Sequence, residues 1–211
     1  MIEMIPRTFW VVATILGGGM SETRVRPGWD TGNWSGLPPV TIRPYDPDWP
    51  ARYEAAREQI AEALTGLDPS FLGAGYRIEH VGSTSVPGLG ARQGIDILIG
   101  LGSGLDEPAG VDECAARLQA LGFDHHFSKP GWTHLSGNGC KLHLTPLGSA
   151  LWTEQILFRD YLRRHPDTAL AYDRLKRELT RTHGSDGMRY VDGKTAFVRS
   201  ALEQARREAT S

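Results

Sequence analysis

Hydrophobic residues along this chain recur with two different periods, and the changes of period divide it into elements. Tyr53, Ala56, Ile60 and Leu64 return at spacings of three and four, which gives a helix one apolar face; Asp48 and Pro50 mark its first turn and Gly66 its end. Before it, residues 40–44 read as a strand, stopped by Pro44-Tyr45-Asp46-Pro47. Residues 76–82 predict a second strand running into the turn-rich Gly82-Ser83-Thr84-Ser85-Val86-Pro87-Gly88, and Ile95-Asp96-Ile97-Leu98-Ile99 predicts a third. Residues 100–110 read as a loop. A helix over 111–121 then puts Val111, Cys114, Ala115, Leu118 and Leu121 on one side and stops at Gly122. Residues 122–127 and 140–145 predict two further strands, separated by a loop that holds Trp132 and His134. The rest is helical: 152–164, 166 to about 182, and 195–207, the last with Phe197, Val198, Ala201, Leu202 and Ala205 as its apolar stripe.

Residues 1–39 follow neither period. The run Phe9-Trp10-Val11-Val12-Ala13-Thr14-Ile15-Leu16 is short of the ~20 apolar residues that span a bilayer. It lies between Glu3 and Gly17-Gly18-Gly19, which suits a signal peptide poorly. The segment reads as an N-terminal extension, flexible or an overlong start, and the domain as 40–211.

Composition narrows the function classes. The 211 residues are 40% hydrophobic and 23% charged, ordinary for a globular protein and outside the disordered and fibrous classes. Lys+Arg 23 against Asp+Glu 25 gives a formal charge of -2, so a general nucleic-acid binder is not expected, although a local basic pocket is permitted. Two cysteines, Cys114 and Cys140, make neither a disulfide framework nor a thiolate zinc site, and a reducing cytoplasm is the expected location, with no membrane.

Candidate chemistry gathers where strand 76–82 meets the Gly-Ser turn. Successive backbone N–H groups in such a turn form a concavity suited to phosphate oxygens. Gly82 permits close approach there, and Ser83 and Thr84 add hydroxyl donors. Asp96 stands in an isoleucine strand and, by alternation, faces away from Ile95 and Ile97; a carboxylate so placed needs a cation or donors. Lys141, His143 and Thr145 share one face of the late strand. Arg159, Asp160 and Arg163 are spaced for ion pairs along a helix, with Arg159 a phosphate ligand if it turns to the cleft; Tyr190 and Lys194, separated by a Gly-containing turn, read either as a cap on the cleft from the C-terminal side or as a solvated loop.

These residues carry a resemblance. His80-Val81-Gly82-Ser83-Thr84-Ser85-Val86-Pro87-Gly88-Leu89 followed by Ile95-Asp96-Ile97 resembles the GrpB family, as do Ile42-Arg43-Pro44-Tyr45-Asp46-Pro47-Asp48-Trp49-Pro50, Leu142-His143-Leu144, and Phe158-Arg159-Asp160-Tyr161-Leu162-Arg163 with Tyr172 and Leu175-Lys176. The resemblance covers about 40–205 in order. It implies the nucleotidyltransferase superfamily, with a polymerase-beta type of mixed sheet, and relatives fused to dephospho-CoA kinases. It also implies a Gly-Ser turn for the triphosphate, here Gly82-Ser83, and two acids one residue apart that hold magnesium. Asp96 matches the first acid, but the second position is Leu98, and the late strand offers His143 where a third acid is common. The family's Ala-Lys-Pro is replaced by Ala91-Arg92-Gln93-Gly94, in which Arg92 keeps a charge able to clamp phosphate.

The expectation is therefore an α+β, nucleotidyltransferase-like domain with a mixed or antiparallel sheet flanked by helices and a C-terminal helical half. Its ligand is a phosphorylated nucleotide bound through Gly82, Ser83, Thr84, Arg92, Lys141, Arg159 and Lys194, with one magnesium ion on Asp96. In one reading a nucleotidyl group passes to a small acceptor deprotonated by His143, whose imidazole ordinarily titrates near neutrality. In a second, the chain is a binding module without turnover, supporting a coenzyme A pathway kinase or another protein partner, and Leu98 favours it. In a third, Asp96 and His143 hold a metal that activates water in a phosphohydrolase.

Overall fold

The computed structural model describes residues 39–67, 75–102 and 108–210. The extension expected over 1–39 lies, apart from Pro39, outside them.

Helix α1 (Trp49–Leu64) is followed by strand β1 (Tyr76–Val81), a 3-10 turn at Ser83–Ser85, strand β2 (Ile95–Leu101) and helix α2 (Pro108–Ala120). Three strands come next, β3 (Asp124–Lys129), β4 (Trp132–Gly137) and β5 (Cys140–Pro146). Four helices complete the chain: α3 (Ala150–Arg164), α4 (Pro166–His183), α5 (Gly187–Asp192) and α6 (Thr195–Ala209). The strands form one mixed sheet in the order β1-β2-β5-β4-β3; β2 and β5 run parallel and every other pair is antiparallel.

Alternation along these strands divides the protein. One face carries Ile95, Ile97, Ile99, Leu101, Leu135, Leu142 and Leu144, which pack with Trp49, Tyr53, Ile60 and Leu64 of α1 and Cys114 and Leu118 of α2 into the main core. Each such side chain, fully buried, contributes about 1.5–3 kcal/mol. The opposite face carries Asp96 and Leu98 on β2, Lys141 and His143 on β5, and Trp132 and His134 on β4. Helix α3 covers the apolar part of that face, where Leu98 and Val81 meet Trp152 and Ile156. Ser149 starts α3 by accepting from the Trp152 N–H at 3.1 Å.

The helical half joins the turn through Val86 and Leu89, which pack with Leu162 of α3 and Ala169 and Tyr172 of α4, and Ala201 and Ala205 of α6 close on Tyr161. Arg159 clasps α3 to β1. Its guanidinium donates to Glu79 Oε2 at 2.7 Å, the His80 carbonyl at 3.0 Å and Asp160 Oδ1 at 2.7 Å.

Three expectations need correction. Residues 40–44 form no strand, only a single bridge in which Arg43 and Ala91 exchange backbone hydrogen bonds of 2.8 and 3.0 Å, because Pro44 has no N–H with which to extend a ladder. The loop expected around Trp132 and His134 is strand β4. It is turned into β5 by Asn138 and Gly139 at φ 50° and 74°, the paired left-handed residues of a tight hairpin. The loop expected over 100–110 is shorter at both ends, since β2 runs through Leu101 and α2 starts at Pro108; helix α5, in a segment to which the sequence assigned no element, is capped by Asp186, which accepts from the Met188 and Arg189 N–H groups.

Candidate functional site

Strand β1 ends at Val81, which lies opposite Asp96 in the β1–β2 register, so the chain enters the Gly-Ser turn directly beside that carboxylate. Gly82 has φ 69° and ψ −171°, and a Cβ placed on it would stand 2.6 Å from Asp96 Oδ2. Only glycine permits both that backbone and that approach. Ser85 then braces the turn by donating from its hydroxyl and its N–H to the Gly82 carbonyl, at 2.6 and 3.2 Å.

Asp96 is flanked on the other side by strand β5. Its Oδ1 faces Lys141 Nζ at 3.9 Å and His143 Nε2 at 3.6 Å. Burial acts to raise the Asp96 pKa, but Lys141, His143 and Arg92 outweigh it and hold the carboxyl well below the usual carboxylate range. It is therefore a fixed negative charge. The stem of Lys141 passes close to Gly94, where a Cβ would lie 3.3 Å from its Cε.

Sequence reasoning did not count Lys176 as a site residue, yet it enters the same cluster from α4. It is 2% exposed, and its Nζ donates to Ser83 Oγ at 2.9 Å and to the Gly90 carbonyl. Asp173 of the same helix accepts from the Gly90 N–H at 3.0 Å, so α4 grips the loop by both backbone polar groups of one residue. Burial pushes the Lys176 ammonium down to about 8. Lys194, at the start of α6, and Arg92 both lie over the Tyr190 ring, 4.7 and 5.7 Å from its centroid. Burial, followed by repulsion from Arg92 and Lys176, lowers Lys194 to about 7.

Gly82, Ser83, Arg92, Asp96, Lys141, His143 and Lys194 thus assemble as one group, joined by Lys176. Two expected residues do not join it. The Thr84 hydroxyl is turned inward, 3.0 Å from His80 Nε2, on a side chain that is 1% exposed. The Arg159 donors are engaged with Glu79, His80 and Asp160.

The arrangement also bears on His143 as a base. The Trp132 indole donates to His143 Nδ1 at 3.3 Å, so that nitrogen holds the lone pair and Nε2 carries the proton that faces Asp96. The Trp132 indole thus occupies the ring nitrogen that would otherwise take a proton from an acceptor hydroxyl. His134 packs against His143 with centroids 5.0 Å apart, and its own Nδ1 is buried without a hydrogen-bond partner among the described residues. Burial, then the neighbouring His143, lowers it to about 3 and keeps it neutral.

The donor set does not fit the magnesium ion expected on Asp96. Magnesium at phosphate sites is held by one or two carboxylates together with water and substrate phosphates in octahedral geometry, and Asp96, the carboxylate available for it, is already faced by Lys141 and His143. Leu98, at the place of a second acid, is wholly buried with Val81 and Trp152, and Glu79 beside it in register is paired with Arg159. Among the described residues no three His, Cys, Asp or Glu side chains converge as metal ligands. What the cluster supplies is positive charge in a half-buried setting, four cations against Asp96 and Asp173, with hydroxyl and glycine at its floor. That chemistry suits phosphate oxygens.

A separate cavity of about 850 Å³ lies on the other side of the Gln93-Gly94 turn, lined by Arg43, Trp49, Arg52, Phe123 and Cys140, and does not include the Asp96 cluster. Among the described residues no helix is long and apolar enough to cross a membrane.

Comparison with known proteins agrees with the sequence resemblance. A family model described as "GrpB protein" matches residues 39–204. A UPF0157 protein of Pseudomonas aeruginosa is 34% identical over 193 residues, covering 85% of this chain and 74% of that protein. A dephospho-CoA kinase of Mycolicibacterium paratuberculosis is 29% identical over 201 residues, covering 79% of this chain and 46% of the kinase. Among solved structures, conserved protein GrpB from Enterococcus faecalis matches with a TM-score of 0.67 and 25% identity, covering 81% of this chain and all (100%) of that one. The Cid1 poly(U) polymerase matches with a TM-score of 0.44 and 16% identity, over 61% of this chain and 41% of the polymerase.

Proposed function

Because this chain belongs to the GrpB family, matching its model over residues 39–204, we propose that it binds the phosphate groups of a nucleotide at the Gly82-Ser83 turn and is a binding module without nucleotidyl transfer. The observation that carries the reading is the convergence of Arg92, Lys141, Lys176 and Lys194 on the turn, with Lys176 already fixed to Ser83 Oγ at 2.9 Å. Cations and a hydroxyl at fixed positions recognise a di- or triphosphate at small entropic cost. Two features argue for binding over turnover. The position two residues on from Asp96 that would hold a second acid is Leu98, which is 0% exposed, and the Trp132 indole occupies His143 Nδ1. The kinase among the relatives supports dephospho-coenzyme A, a nucleotide with a 5′-diphosphate, as a ligand, and a kinase of that kind as the protein partner.

The test is calorimetric titration of the full chain with ATP, CTP, GTP, UTP and dephospho-coenzyme A, alongside a pyrophosphate-release assay on the triphosphates with magnesium present. At least one nucleotide should bind, and Lys194→Met should weaken it about 10- to 100-fold, the worth of one charge-assisted hydrogen bond. Absence of binding to all five sinks the reading. Sustained pyrophosphate release would overturn the binding-module assignment while leaving the site in place.

A further inference from the structure

We propose that Lys141 stands where a metal ion would otherwise neutralise Asp96 and the bound phosphates, so that this site takes a nucleotide di- or triphosphate as the free anion and not as its magnesium complex. The proposal rests on the nucleotide-binding reading above and specifies the form of the ligand.

The argument starts from Asp96. Its Oδ2 is set against the turn at Gly82, where a Cβ would come within 2.6 Å, and its Oδ1 faces Lys141 Nζ at 3.9 Å and His143 Nε2 at 3.6 Å. A cation that needs several hard oxygen ligands would find here a single carboxylate, 27% exposed, whose Oδ1 already faces Lys141 and His143. The next carboxylate on that face, Glu79, is held by Arg159 at 2.7 Å, and Leu98 lies between the two acids in register. A divalent ion entering here would displace one ammonium and stand near three other cations. Like charge gathered in one half-buried site opposes the entry of such an ion.

Lys141 meets the complementary requirement. It is one-quarter exposed at 25%, its stem is guided past Gly94, and its ammonium is already beside the carboxylate. Phosphate oxygens entering from the Ser83 side would therefore find positive charge where a metal-dependent site presents its ion. Asp96 then serves to hold Lys141 and His143 in position and does not act as a ligand.

The experiment titrates the full chain with ATP and with inorganic tripolyphosphate, each in excess EDTA and in excess magnesium. The proposal expects affinity in EDTA at least equal to that in magnesium for both probes. Lys141→Met should lower affinity in EDTA by about tenfold or more and reverse the order of the two arms, since magnesium then supplies charge that the side chain no longer does. Binding that requires magnesium overturns the proposal and leaves the nucleotide site standing. An unchanged EDTA affinity in Lys141→Met also overturns it. Failure of the wild-type chain to bind in either arm overturns both readings together. The comparison of wild-type arms does not depend on any variant folding.

Discussion

Gly82→Ala tests the geometry from which every functional argument above proceeds. The native φ of 69° and ψ of −171° lie in a region that side-chain-bearing residues almost never occupy, at a cost of about 1–3 kcal/mol. The added methyl would also stand 2.6 Å from Asp96 Oδ2 and 3.0 Å from both its Cβ and its Cγ. A rotation of the carboxyl tip cannot relieve three contacts that include the stem, so Asp96 or the turn must move. A further kilocalorie or so for that displacement brings the loss to about 2–4 kcal/mol. For a domain of this size that corresponds to a melting temperature lower by roughly 5–15 °C. Because the turn would be displaced from Lys176 as well, anion affinity should fall together with stability. The assays are urea unfolding monitored by circular dichroism and calorimetric titration with tripolyphosphate. A variant that melts within a degree of the wild type and binds as well would refute the proposed close packing of turn and carboxylate.

Three other perturbations separate the roles of the surrounding residues. Leu98→Asp puts a carboxylate among Val81, Trp152 and Ile156, where it lacks a cation, and should cost at least about 3 kcal/mol in urea unfolding without conferring magnesium binding; wild-type stability with a new magnesium site would contradict the account of that position. Arg159→Ala removes bonds to Glu79, His80 and Asp160 and should destabilise by about 2–3 kcal/mol with tripolyphosphate affinity unchanged; a large loss of affinity at unchanged stability would place this arginine in the binding site. Lys194, lowered to about 7, and Lys176, lowered to about 8, are charged below those values, so tripolyphosphate affinity should fall as pH rises from 6.5 to 9, more shallowly in Lys194→Met. The free protein should show the opposite trend: between pH 7 and 10 the unfolded lysines hold more protons than the folded ones, and stability rises with pH. An affinity flat across that range would refute the role given to these ammonium groups.

The parts of the site that were legible in the sequence are those in which a residue breaks a local pattern. Asp96 stands out because a carboxylate interrupts an isoleucine strand, and Gly82-Ser83 because a glycine follows a strand directly. Lys176 carried a comparable signal that sequence reasoning passed over: with Ala169, Tyr172 and Leu179 it completes the buried stripe of α4 at spacings of three, four and three, and a lysine on such a stripe needs a partner. Its partners, Ser83 and the Gly90 carbonyl, lie 93 and 86 positions away, and no spacing rule reaches that far. Strand β4 was missed because Thr133, His134 and Ser136 look like loop residues, although Asn138-Gly139 is the strongest short-range hairpin signal available. That error extended to the chemistry. With Trp132 assigned to a loop, nothing indicated that its indole would occupy His143 Nδ1, and the histidine looked free to act as a base.

The cation cluster draws on both halves of the molecule, which connects its function to its stability. Arg92 and Lys141 belong to the sheet half; Lys176 and Lys194 come from helices of the C-terminal half. The apolar contacts between these halves near the turn are modest, mainly Val86 and Leu89 against Leu162, Ala169 and Tyr172. Burial of the Lys176 and Lys194 ammonium groups at that junction, with Arg92 and Lys176 repelling Lys194, opposes its closure and lowers both pKa values. A polyphosphate bound there would remove this repulsion and bridge Ser83 and Lys141 to the two helical lysines. Ligand binding should therefore raise the unfolding temperature, because the anion binds the folded chain and not the unfolded one. The increase should shrink in Lys194→Met, which removes a helical cation, more than in Arg159→Ala, which loosens the same junction but contributes no charge to the ligand.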